Sequence, residues 1–146
     1  MRWLLYGEDE IVGKWVGERI AHANFGSFVS IGLCEDQKLI AAVIYHNYIK
    51  EYGNIELSMA ADSPRWATPE SIGALLHYPF VRLGCNRVTT CTPASNRRAL
   101  KFNKGIGFIE EGVIRKGYGA EDMVICGLLK EEAQRWLNFN KESSNG

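Results

Sequence analysis

The run Asn96-Arg97-Arg98-Ala99-Leu100-Lys101-Phe102-Asn103-Lys104-Gly105-Ile106-Gly107-Phe108 restricts the fold more than any other part of the chain. Asn caps helices well and Gly ends them well, so the run reads as a short helix opened by Asn96 and closed by Gly107 before an aromatic residue. Ahead of it, residues 87–92 form the β-branched series Arg-Val-Thr-Thr-Cys-Thr, which suits a strand. A strand that leads into a capped helix and is followed by further strand-like sequence fits a mixed α/β domain.

The rest of the chain agrees with that class. Residues 2–7 read as a first strand, and Glu8-Asp9-Glu10 then loads acid onto a helix start, where the macrodipole favours it. Val12, Val16 and Ile20 follow helical spacing, which predicts an amphipathic helix to about Ala23. Residues 28–34 and 38–45 read as a hairpin about the polar turn Glu35-Asp36-Gln37, and residues 55–60 alternate as a strand with Glu56 and Ser58 on one side. Thr68-Pro69-Glu70-Ser71 is a strong helix start, a hydroxyl cap with Pro in first position, and Pro79 should kink or shorten that helix near His77. Residues 109–116 and 123–129 read as the last strands, 130–137 as a final helix, and about 139–146 as a frayed tail.

A length of 146 residues is one domain, 1–146, by the usual prior, with enough chain to bury a core. Seventeen basic residues balance seventeen acidic ones, so net charge does not indicate attachment to nucleic acid or to a membrane surface. Cys34, Cys85, Cys91 and Cys126 stand apart without C-x-x-C spacing, so they read as small hydrophobes in a reducing compartment and predict no metal site. Residues 1–6 are too short and too soon followed by acid for a signal peptide, and no apolar run reaches membrane length; cytoplasmic residence is the expectation. The chain contains no P-loop, no G-x-S-x-G elbow and no H-E-x-x-H.

The order strand, Asn, helix, Gly-Phe, strand resembles the acyl-CoA-binding end of the GNAT acetyltransferases, whose pattern N-x-x-[AS]-x-x-x-x-x-x-x-G-F matches Asn96 to Phe108. The resemblance implies a mostly antiparallel twisted sheet with helices on both faces, splayed between the strands at 55–60 and 87–92 to admit a pantetheine arm. It implies acetyl-CoA as acyl donor and direct N-acetyl transfer to an amine, protein or small molecule, in a ternary complex. The segment from Ile55 to Trp66, with Tyr78-Pro79-Phe80, also looks like GNAT-like proteins of phages and prophages, for which a nucleobase is an alternative acceptor. A CoA- or protein-binding module without turnover is a second alternative. A homodimer is among the expected assemblies.

By the same resemblance, cofactor contacts fall to Met59, Ala60 and Ala61, whose backbone amides would polarise the thioester carbonyl, and to the loop and helix start at Arg65, Trp66, Ala67 and Thr68. In the family that loop reads [QR]-x-x-G-x-[GA]; here it is Asp62-Ser63-Pro64-Arg65-Trp66-Ala67, so Arg65 would bring charge from another position. Thr68-Pro69-Glu70-Ser71 serves equally as a plain helix cap. Asn96, Arg97, Arg98 and Phe102 complete the cofactor set, Asn96 as helix cap and pantetheine contact together. The family often carries Tyr where this chain has Asn103; an amide hydrogen-bonds a thiolate but gives up no proton. Tyr45, Tyr48 and Tyr118 are the candidate phenols. Glu56 is the candidate base, its alternative being a solvent-facing strand residue, and His46 is second.

Overall fold

The computed structural model describes residues 1–20 and 24–145, with side chains through residue 139. Seven strands form one sheet, β1 (Arg2–Tyr6), β2 (Phe28–Glu35), β3 (Lys38–Ile49), β4 (Asn54–Ala61), β5 (Arg87–Pro93), β6 (Ile109–Ile114) and β7 (Met123–Leu129), in the order β1-β2-β3-β4-β5-β7-β6. Four helices accompany them: α1 (Asp9–Gly17), α2 (Pro69–His77), α3 (Arg97–Ile106) and α4 (Gln134–Asn145). Every pairing is antiparallel except β4 with β5. That parallel pair holds only at Asn54 with Arg87, Ile55 with Val88 and Glu56 with Thr89, although β4 runs to Ala61 and β5 to Pro93. Beyond Glu56 the two strands part, as the expected splay requires.

Period-two alternation divides the core between the two faces of the sheet. Ala41, Val43 and Tyr45 of β3 join Ile72, Leu75 and Leu76 of α2 and Leu137 of α4 in one cluster. Ala42 and Ile44, one residue out of phase, join Val12 and Val16 of α1 in the other. A strand buried on both faces reads as a continuous apolar run, which residues 39–45 are. Leu128, Val88 and Phe80 are fully buried on the α2 side.

Local signals account for the helix ends. The Thr68 hydroxyl accepts from the Ser71 N–H at 3.1 Å, and Pro69 holds the first helical position of α2. Pro79 does interrupt that helix, and residues Tyr78–Arg82 follow as a wider π turn. Asn96 Oδ1 accepts from the Ala99 N–H at 3.2 Å, opening α3. Gly107, at φ 126°, ends it in a conformation that disfavours a side chain, and the Gly107 and Phe108 N–H groups both donate to the Asn103 carbonyl.

Four boundaries depart from the sequence reading. Helix α1 stops at Gly17, because Arg19 turns out of the helix to bond the Trp15 carbonyl and Asp62; the expected continuation to Ala23 lies outside the described residues. Strand β3 continues to Ile49, past a bulge after His46, where Ile49 still pairs with Asn54. Strand β6 ends at Ile114, as Lys116 takes a positive φ and donates its N–H to Asp122. In place of a frayed tail, the backbone of α4 remains helical to Asn145 after a 3-10 turn at Lys130–Ala133.

Candidate active site

Where β4 and β5 part, the sheet opens into a cleft with two chambers, of about 700 Å³ and about 470 Å³, that share Met59, Asn96, Ala99 and Asn103. The larger holds the ionisable groups. Glu56, on β4, lies cross-strand from His46 of β3, so both side chains project from the α1 face of the sheet. Asn47 Nδ2 donates to Glu56 Oε1 at 2.9 Å, His46 Nε2 lies 3.6 Å from Glu56 Oε2, and the same ring nitrogen contacts Ser58 Oγ at 2.9 Å. Glu56 is thus a cleft residue, 21% exposed, held by neighbours on β3.

Burial lowers the pKa of His46, and the Glu56 charge pushes it partly back. The neutral ring therefore dominates near neutral pH, with Nδ1 buried and without a protein partner. Cys91, on β5, and Tyr118, beyond β6, face the same carboxylate. Burial, then the charge of Glu56 and a hydrogen bond to it, push the Cys91 thiol up to about 11. Burial, then the charges of Cys91 and Glu56, push the Tyr118 phenol up to about 12. Both keep their protons at physiological pH, so neither is a base, and Tyr118 is a hydrogen-bond donor but a weaker acid than an ordinary phenol. Of the other phenols, Tyr45 is buried and donates to the Leu75 carbonyl at 2.6 Å, and Tyr48 lines a separate cavity of about 160 Å³.

The smaller chamber receives most of the expected cofactor residues. Met59, Ala60 and Ala61 line it from β4, Asn96, Arg98 and Phe102 from the α3 side, and Trp66 from the intervening loop. Trp66 is buried, its ring 5.4 Å from that of Phe102. Arg65 does not line either chamber: its guanidinium is largely exposed and turned to Glu35, 3.8 Å away, and its carbonyl accepts from Arg2. Ala67 packs against the core, Thr68 uses its hydroxyl on Ser71, and Arg97 is exposed on the first turn of α3. Asn103 Nδ2 donates to Thr90 Oγ1 at 3.3 Å, and Asn103 borders both chambers.

Arg19 and Cys91 escape the sequence reading, and Tyr118 is one of three phenols that it names without placing. Arg19 lines both chambers, stacked 3.7 Å above the Trp15 ring and bound to Asp62 through two hydrogen bonds of 2.7 and 3.2 Å. The bond from Arg19 also holds the Asp62 carboxyl below its ordinary value, so the acid of this loop is paired with a cation. No local pattern signals a contact between residues 43 apart in sequence. Cys91 was legible in part, since period two puts it on the face of Thr89, which pairs with Glu56. Tyr118 comes from a turn whose placement depends on the sheet.

No model of a known protein family matches the chain. The chain is 26% identical to YdaF of Bacillus subtilis, provisionally named a ribosomal N-acetyltransferase, in an alignment covering 90% of this chain and 78% of that protein. A crystal structure of a protein provisionally assigned as an acetyltransferase matches at 29% identity and a TM-score of 0.60, covering 73% of this chain. The chain spans 64% of that structure's own length, just under two thirds. Mutant forms of the spermidine/spermine N-acetyltransferase SpeG from Vibrio cholerae superpose with a TM-score of 0.72 over 95% of this chain and 99% of theirs, at 16% identity. In sheet order, splay and likeness to these structures, the chain has the GNAT acetyltransferase fold, and the proteins it resembles in sequence are provisionally named acetyltransferases.

Proposed function

We propose that the chain transfers an acetyl group from acetyl-CoA to an amine, directly and with both substrates bound. The observation that carries this reading is the parting of β4 and β5 with Glu56 at its root. The splay leaves the β5-facing edge of β4 from Leu57 onward without a strand partner, so backbone groups at Met59 to Ala61 are available to an extended arm. The chamber beside α3 fits that arm, with Asn96, Arg98 and Phe102 on one wall and Trp66 near its end. Bound there, an acyl thioester would supply an activated carbonyl.

The chain's own residues would then handle protons. Amines are protonated near neutral pH, and Glu56 accepts a proton while Asn47 holds one of its oxygens by a hydrogen bond and His46 stands 3.6 Å from the other. Neutral His46 places no positive charge beside the carboxylate. Asn103 and Tyr118 both line the cleft, one an amide with a second N–H besides that given to Thr90 and the other a protonated phenol, so a departing thiolate would have donors of two kinds within the cleft wall. The free cysteines suit a reducing, cytoplasmic setting, where acyl-CoA is made.

Calorimetry with acetyl-CoA, followed by thiol release against an amine panel, tests the proposal. Polyamines and peptides with free N-termini head the panel, since the relatives are named for spermidine and for the ribosome. Micromolar binding and amine-dependent release are expected, with Glu56→Gln cutting kcat by about a hundredfold or more. Binding without release would favour the module reading, for which Asn103 at the family's usual Tyr position is the supporting observation. No binding would reject both the transfer reading and a CoA-binding module.

A further inference from the structure

Beneath the cleft lies a separate apolar cavity of about 50 Å³, on the opposite face of the sheet from Glu56. Val43, Ile72, Leu75, Leu76, Ile106 and Phe108 form its deep walls. Leu57, Met59, Thr90 and Asn103 line both this cavity and the larger chamber of the cleft, so the two adjoin at the splay with these side chains between them. Among the described residues the polar groups on the lining are Thr90 and Asn103, which are hydrogen-bonded to each other, and the indole of Trp66. Protein interiors pack to crystal-like density, so an apolar void of this kind costs stability. A water needs about 10–15 Å³ and two or more polar partners, and these walls offer few.

We infer that this cavity is an acyl-chain pocket, and that the donor is a short-chain acyl-CoA up to about butyryl rather than acetyl-CoA alone. The inference rests on the transfer reading above, which puts a thioester at the splay. The faces of the sheet divide the work: Glu56, His46, Cys91 and Tyr118 stand on the amine's side, and the carbon chain of the acyl group leaves through the splay to the other. By the water measure the space takes about three or four atoms, which admits the methyl of acetyl and a few methylenes more and excludes an octanoyl chain.

The test is calorimetry of the full chain with CoA, acetyl-, propionyl-, butyryl- and octanoyl-CoA, which needs no acceptor. Affinity should rise about fourfold per methylene from acetyl to butyryl and fall at octanoyl. Val43→Ile adds one methylene to the deep wall and should lower the butyryl-to-acetyl affinity ratio several-fold; Leu76→Ala, if it folds, should admit octanoyl-CoA. Propionyl- and butyryl-CoA binding no tighter than acetyl-CoA would overturn the inference and leave the transfer reading standing. So would a wild-type preference that Val43→Ile does not alter, since the chain would then lie elsewhere. Failure of all five ligands to bind would overturn both.

Discussion

Glu56→Gln should make Cys91 react faster with iodoacetamide, a result that depends on cleft geometry alone and not on any substrate. The Cys91 thiol is pushed from an ordinary 9.0 up to about 11, with the Glu56 charge and hydrogen bond as the second and third causes after burial. At pH 8 a thiol of pKa 11 is about one part in a thousand thiolate, and only the thiolate reacts. Removing the carboxylate charge leaves the effects of burial and of Cys126 and takes away that of Glu56, so the Cys91 pKa falls. For each pKa unit removed the thiolate fraction rises about tenfold and the intrinsic nucleophilicity of the less basic thiolate falls about threefold, a net gain of about threefold in rate. Peptide-resolved mass spectrometry after timed alkylation reads Cys91 separately from Cys34, Cys85 and Cys126, which are buried. Thermal melting of the variant confirms that it is folded. An unchanged or slower rate at Cys91 would refute the placement of Glu56 beside it.

Stability should fall as the pH drops below about 6.5, because folded His46 has its pKa lowered from 6.5. Between the folded value and 6.5 the unfolded chain binds more protons, so stability lost on acidification is at most about 1.4 kcal/mol per pH unit from this group. Urea melts from pH 7.5 to 5 should show this slope in the parent and a reduced one in His46→Asn. Asn96→Ala and Thr68→Ala each remove a helix cap and should cost about 1 kcal/mol, a drop of roughly 2–5 °C in Tm by scanning calorimetry.

The features legible in the sequence are those that short-range physics decides. Asn96, Gly107 and Thr68-Pro69 act on backbone groups within a few residues, and each performs in the structure the role its neighbours suggest. The alternation that puts Glu56 and Ser58 on one side of β4 is equally local, and His46 reaches both across the sheet. The misplaced features depend on distant partners. Arg65 is drawn to Glu35 instead of the cleft, and Arg19 ends α1 early by reaching Asp62. The electrostatic company of Glu56 comes from β3, β5 and the turn after β6, segments that only the assembled sheet brings together.

The parallel seam between β4 and β5 has a mechanical meaning as well as a chemical one. Three residue pairs join a four-stranded half-sheet to a three-stranded one, and the zipper is open above them. Few hydrogen bonds resist a small change in the angle between the halves, whereas each half is internally well laddered. A ligand lying in the opening and bonded to the free edge of β4 would act as a missing rung, so its binding would brace the two halves into one lamina. By linkage, whatever stiffens the seam would in turn tighten the grip on that ligand.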